Sequence, residues 1–240
     1  MNQSEAPSQA LGRISALWRH PVKSMLGGPC DELALNSRGV VGDRLFAVRT
    51  PEGKLGSGKD STRFQRIEGL FKFSSSYDGD VPIVTFPGAR TLRGDDSSMD
   101  GRLAQELGLP VSLAREDEVE HLDAGPVHLL TTAALRWLGT GLGEGPADAR
   151  RFRPNLVIDA EGESQVEREW LGQELRIGEE VRLRISAFTE RCCMTGMPQA
   201  DLGSDARVLK YLAAFSEAQF GVYAEVIQAG TIRVGDTVRH

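Results

Sequence analysis

Apolar and polar residues alternate in short bursts along most of the chain, and turn residues close nearly every burst. RISALWRHPV (13–22), RLFAVRT (44–50) and VPIVTF (81–86) are short and rich in β-formers, so each predicts a strand. ELRIGEEVRLRI (174–185) and TIRVGDTVRH (231–240) share one plan: an alternating run, a Gly with an acid, and a second alternating run. Glycine supplies the positive φ of a tight turn, so both predict hairpins of a small, closed or strongly curved sheet. Helical spacing is confined to three stretches. TTAALRWLGTGLG (131–143) puts Leu135, Leu138 and Leu142 on one face, with Thr131 or Thr132 as cap. RVLKYLAAFSEAQFG (207–221) puts Val208, Leu212 and Phe215 on one face and offers Gly221 as a stop. GRLAQELGL (101–109) is a short third candidate. RGDDSSMDG (93–101) reads as an exposed loop, and HLDAGPVH (121–128) as the joint between a strand-rich first half and a second half. The fold class expected is β-dominated α+β with a few peripheral helices.

Composition narrows the function. At 240 residues, 40% of them hydrophobic, the chain builds a core without disulfide staples. A net charge of −6 argues against a general nucleic-acid binder, which needs a basic face to displace counterions from phosphates. No apolar run is long enough to span a bilayer, and MNQSEAPSQA has neither the basic nor the apolar part of a signal peptide, so residues 1–10 read as a short disordered tail. Three cysteines make an odd count, which argues against a disulfide framework and for a reducing, cytoplasmic setting.

Candidate chemistry comes down to cations and cysteines. The four histidines, at 20, 121, 128 and 240, have no zinc-type spacing with Cys or Glu, and each reads as a solvated or core-edge residue. The stretch from Gly53 to Lys59 fits G-x-x-x-x-G-K, but Asp60 stands where a phosphate loop needs a hydroxyl, so a flexible surface loop is expected there. Cys192 and Cys193 are adjacent, and neighbouring strand residues point to opposite faces. One should therefore face a site and the other the packing. Arg191 beside them favours a thiolate, the form that binds soft metals. Lys23 and Ser24 in HPVKS, Arg44 in GDR, and Arg153 with Asn155 in RFRPN sit in turn-like places, and Pro154 stiffens the last of these. A thiolate with several cations suits a phosphorylated, sulfur-coordinated cofactor; solvated surface charge is the plainer alternative.

HPVKS…GVVGDRLFAV (20–48), RFRPNLVID (151–159), ERCCMT (190–195) and FGVYAEV…AGTIRVGDTV (220–238), in this order, resemble the MOSC family, named for the molybdenum cofactor sulfurase C-terminal domain. The resemblance implies an N-terminal MOSC β-barrel-like domain over 11–115 and a MOSC domain over 120–240, with the cofactor pocket between them. Within the family, the amidoxime-reducing component enzymes look most similar. That implies an oxidoreductase that reduces N-hydroxylated small molecules at a molybdenum–molybdopterin centre. Carried over by motif, Cys192 is the metal ligand, and Lys23, Ser24, Arg44, Asp123, Arg153, Asn155 and Arg191 bind the pterin and its phosphate. Cys193 takes a position usually apolar, and Thr131 lies just beyond the Asp123 motif. Electrons would come from a separate protein, a ferredoxin or flavoprotein reductase, with no nucleic-acid or membrane partner. Two alternatives stay open. One is a sulfur carrier holding a persulfide on Cys192, supplied by a pyridoxal-phosphate-dependent desulfurase, with no pyridoxal phosphate placed in this chain. The other is a non-catalytic cofactor-binding scaffold. The sequence departs from the family pattern after RCCMT: Gly196 replaces a Thr and the acidic turn of 196–203 is rearranged.

Overall fold

The computed structural model describes residues 10–240; the expected tail lies outside these residues except for Ala10, which opens the first strand. Seven strands close into a barrel. Around it run Leu156–Asp159, Val127–Thr131, Gln219–Gln228, Val181–Glu190, Glu174–Ile177, Thr237–Arg239 and Ala10–Arg19, and the last pairs back onto the first. Alternation fills the barrel: Val181, Leu183 and Ile185 point in and are buried, while Arg182 and Arg184 stand between them. Leu17, Leu129, Ile158, Leu175, Val222 and Val238 complete the same core. Val127–Thr131 and Leu156–Asp159 are the one parallel pair of this barrel, and a parallel pair needs a crossover. A helix supplies it.

The structure has three α-helices among the described residues: α1 (Met99–Leu107), α2 (Thr132–Leu142) and α3 (Arg207–Ser216). α2 is the crossover, and the Thr131 side chain caps it by accepting from the Ala134 amide at 3.1 Å. Leu135, Leu138, Val208 and Leu212 pack α2 and α3 around Phe152 and Phe220. α3 departs from expectation in two ways. Phe215 is 66% exposed rather than on the packed face. The helix ends at Ser216, where Glu217 and Ala218 turn left-handed, so Gly221 is not the stop. Gly221 lies within a strand at φ 79°, where a Cβ would come within 2.7 Å of the Leu129 carbonyl.

The 174–185 stretch forms the expected hairpin, with Leu175 opposite Leu183 and Ile177 opposite Val181. The 231–240 stretch does not. Gly230–Arg233 pairs with Glu32–Asn36, while Thr237–Arg239 joins the barrel between Glu174–Ile177 and Ala10–Arg19. The intervening turn is tied elsewhere, because Gly235 N–H donates to the Ile14 carbonyl at 2.8 Å. Both halves keep their apolar residues inward, Ile232 and Val238 alike, but on different partners.

Residues 44–115 build a second layer. Phe46–Arg49 pairs with Ser112–Arg115 and Leu55–Ser57, and Ser74–Asp78, Val81–Thr85 and Thr91–Arg93 form a separate three-stranded sheet. Its core gathers Val22, Met25, Val48, Phe73, Val84, Met99 and Leu103. The chain's start belongs to the barrel of its end, and the segment from His20 to Phe46 leads from barrel to layer and carries Lys23, Ser24 and Arg44. The Gly53–Lys59 stretch is not the flexible loop expected: Leu55–Ser57 is a buried strand, and Gly58 packs against Met194 and Met197.

Candidate cofactor site

Where the segment around 23–64 meets the barrel, a cavity of about 540 Å³ opens. Lys23, Ser24, Arg44, Asp123, Arg153, Arg191 and Cys192 all line it. These are seven of the eight residues singled out from the sequence, drawn from distant parts of the chain. The eighth, Asn155, is buried behind them at 1% exposure. Its side chain accepts from the His128 amide at 3.0 Å and donates to the Trp18 carbonyl at 3.3 Å, so it fixes barrel strands. Thr131 is buried at the start of α2, bonded to Glu167 at 2.6 Å. A cleft of about 640 Å³ beside α3, around Trp137 and Phe215, contains none of these residues.

The backbone is strained where the site needs it. Ser24, Arg44 and Arg153 hold φ of 63°, 49° and 54°, a left-handed conformation that costs a non-glycine residue about 1–2 kcal/mol. Pro154 sets the chain immediately after Arg153, and the Arg44 guanidinium donates to the Arg153 carbonyl at 3.2 Å, which ties the two left-handed turns together. Ser24 Oγ donates to the Gly56 carbonyl at 3.0 Å.

Seven cationic side chains and two carboxylates line the cavity, in a chain whose net charge is −6. Lys23, only 3% exposed, donates to Asp123 Oδ1 at 2.5 Å and to the His121 carbonyl at 2.9 Å. Burial lowers its pKa and Asp123 raises it back in part. Burial works against ionised Asp123, but Lys23 and Arg44 outweigh it and hold the carboxyl well below the usual range. Asp43 and Asp123 likewise outweigh burial at Arg44, whose guanidinium is bonded to Asp43. At Arg153 the balance goes the other way: burial and then Arg44 outweigh Asp43 and Asp123 and push it down to about 9. One of its nitrogens donates to the Met25 carbonyl at 2.5 Å, and Nη2 is buried without a partner. Arg191, pushed down to about 10 by burial, donates to the Phe220 and Phe152 carbonyls and to His128. Cations that burial destabilises, one with an orphaned donor, make a wall built for an anion.

Cys192 is a free, half-buried thiol in this wall. The expected alternation stops there. The strand ends at Glu190, and Cys193 begins a tight turn, Cys193–Gly196, in which the Thr195 amide donates to the Cys192 carbonyl at 3.2 Å. Cys193 is therefore exposed, 3.6 Å from the Gly58 carbonyl, rather than packed inward. The histidines also differ from expectation: His20, His121 and His128 are all buried, and His128 lines the cavity. Lys59, Arg63, Phe64, Phe188, Glu190 and Tyr223 line it too. Lys59 stood in the phosphate-loop-like stretch, the one sequence signal that could have marked it.

The MOSC domain family model matches residues 116–239, and that of the MOSC N-terminal beta barrel domain matches 11–140. The chain belongs to the MOSC family. Among curated proteins it is similar to mitochondrial amidoxime-reducing component 1 of Mus musculus, 26% identical over 96% of this chain and 82% of that protein. It is also similar to mitochondrial amidoxime reducing component 2 of Rattus norvegicus, 25% identical over 96% of this chain and 83% of the relative. Among solved structures, the YUAD protein from Bacillus subtilis shares the fold, with a TM-score of 0.52 at 10% identity over 95% of this chain and 93% of that one. Among the described residues no helix is long and apolar enough to cross a membrane.

Proposed function

We propose that this MOSC protein binds a molybdenum–pterin cofactor in the cavity, with Cys192 as the protein's ligand to the metal, and reduces N-oxygenated small molecules there. One observation carries this reading: a free thiol opens into the same cavity as an arginine whose buried Nη2 lacks a partner. Arg153 and Arg44 would hold the phosphate, with Lys23 fixed by Asp123 beside them. Among the described residues no cluster of three or more His, Cys, Asp or Glu is placed to hold a metal ion, and Cys192 is the thiol that lines the cavity, so the cofactor would bring further ligands of its own. When bound, the cofactor would supply two-electron exchange. The chain's own residues bind and orient it and shield it from water. Overall, an N–OH group takes up two electrons and two protons, the N–O bond breaks, and an N–H product and water leave. A separate protein, a ferredoxin or flavoprotein reductase, supplies the electrons.

A persulfide carrier would need the Cys192 thiol but not Lys23, Arg44 and Arg153 converging beside it. The test is molybdenum content by elemental mass spectrometry, on protein made in a cofactor-competent host, beside Cys192→Ala. Near-stoichiometric metal that the variant loses is the expected result, together with benzamidoxime reduction by a chemically reduced viologen. Folded wild-type protein without metal overturns the reading.

A further inference from the structure

Cys193 is the exposed thiol that the proposed cofactor site leaves unused, and it opens a short turn rich in sulfur. Cys193, Met194 and Met197 fall within five residues. Cys193–Gly196 is a 3₁₀ turn, whose period brings residues three apart onto one side. The Met197 amide closes it by donating to the Met194 carbonyl at 3.2 Å, which returns Met197 to the side of Met194. Gly58, next after the buried strand Leu55–Ser57, packs against this turn. A β-carbon on Gly58 would lie 3.0 Å from Met197 Sδ and 3.4 Å from Met194 Sδ, so both thioethers come within 3.4 Å of one point. Cys193 Sγ stands 3.6 Å from the carbonyl oxygen of the same glycine. Three sulfurs of one turn thus gather on a residue that has no side chain. Neither methionine is buried as a core residue would be. Both are partly exposed and Cys193 more so, so an ion reaches them from solvent.

We propose that Cys193, Met194 and Met197 form a binding site for a soft monovalent metal ion, copper(I). One thiolate and two thioethers are soft donors, the set that favours copper(I) over magnesium, calcium or manganese, which take oxygen. Zinc takes thiolate, imidazole or carboxylate, and two of the three donors here are none of these. On binding, the Cys193 thiol gives its proton to solvent, and the thiolate neutralises the single charge of the ion. Met194 also lines the cavity, while Cys193 and Met197 do not. The ion therefore sits at the cavity's edge and takes nothing from the cationic wall or from Cys192.

The test is anaerobic copper(I) titration of the full-length protein in competition with the chromophoric chelator bicinchoninate, with molybdenum measured on the same samples. Wild type is compared with Cys192→Ala, Cys193→Ala and the double variant Met194→Leu/Met197→Leu. Wild type and Cys192→Ala should each bind one copper(I), and the bound ion should shield Cys193 from iodoacetamide. The double variant should bind it about tenfold more weakly or worse at unchanged melting temperature, because leucine fills the space of methionine without a soft donor. Cys193→Ala should lose it. Equal affinity in wild type and the double variant overturns the inference, since copper then rests on a thiol alone. Copper that Cys192→Ala loses and Cys193→Ala keeps overturns it as well. A wild type without molybdenum that still binds copper(I) through Cys193 and the two methionines overturns the reductase and leaves the copper site standing.

Discussion

Arg191 aims one guanidinium nitrogen at Nε2 of His128, and Nδ1 of the same ring faces the Arg153 carbonyl at 3.4 Å. An arginine only donates, so Nε2 accepts and the ring proton sits on Nδ1. His128 is therefore neutral. It links the arginine before Cys192 to the left-handed turn that presents Arg153, so two parts of the cavity wall share one tautomer.

Buried neutral histidines give stability a signed dependence on pH. Burial, followed by neighbouring arginines, holds His128 and His20 well below the ordinary value, and burial lowers His121 to about 4. The unfolded chain takes up these protons near pH 6.5 and the folded chain does not. Their contribution is fully present above that pH and is lost below it, by about 1.4 kcal/mol per pH unit for each histidine. Urea unfolding at pH 7.5, 6.0 and 5.0 checks this: the midpoint should fall with acid at constant slope, and a constant midpoint contradicts it.

Glu167 acts in the opposite direction. It is fully buried, accepts from Thr131 Oγ1 at 2.6 Å, and burial pushes its carboxyl up to about 7. Its favourable contribution is present below the unfolded value near pH 4.5 and is lost as pH rises to about 7. Glu167→Gln should gain on wild type at pH 8 and give up that gain at pH 5, a difference of about 1.4 kcal/mol per pH unit between those limits. Parallel stability profiles for the two proteins would falsify the assignment.

Arg153→Gly and Arg153→Ala separate side chain from backbone. Both lose the guanidinium and its bond to Met25, but only glycine accepts φ 54° without cost. The glycine variant should unfold at higher urea, by about 1 kcal/mol, and both should lose the molybdenum found in wild type. Equal stability would mean that the left-handed turn stores no strain.

The adjacent cysteines should differ in reactivity. Cys193 is exposed, whereas Cys192 is half-buried in the cavity and, in the proposed reading, bound to the metal. Iodoacetamide on native metal-loaded protein, followed by peptide mass spectrometry, should label Cys193 first. Cys193→Ala should keep its metal. Preferential labelling of Cys192 would exchange the roles given to the two thiols.

Local pattern in the sequence was enough for features held by one stretch of chain. Alternation marked the 174–185 hairpin, and the Thr131–Thr132 pair before a leucine-spaced run marked the start of α2, where the structure selects Thr131 as the cap. It failed where partners lie far away. TIRVGDTVRH has the marks of a hairpin, yet its two strands answer to Glu32–Asn36 and to the barrel. Strand alternation predicts a packed Cys193, but the strand ends at Glu190, three residues before it. Seven cavity residues were legible because their motifs recur in a family, and Asn155 carried the same signal while its amide serves the backbone. Glu190 and Phe188 were not legible, because only the register of one strand against Gln219–Gln228 turns them toward the thiol.

The barrel closes where Arg13 pairs with Thr237 and Ala10 with Arg239. During synthesis the first of these strands leaves the ribosome more than two hundred residues before its neighbour on that side, so the seam stays open until Thr237–Arg239 has been made. The same adjacency allows a different order of synthesis. Joining the two termini and opening the chain at the exposed Glu118 would make all seven barrel strands before the 44–115 layer, and the barrel could then form first.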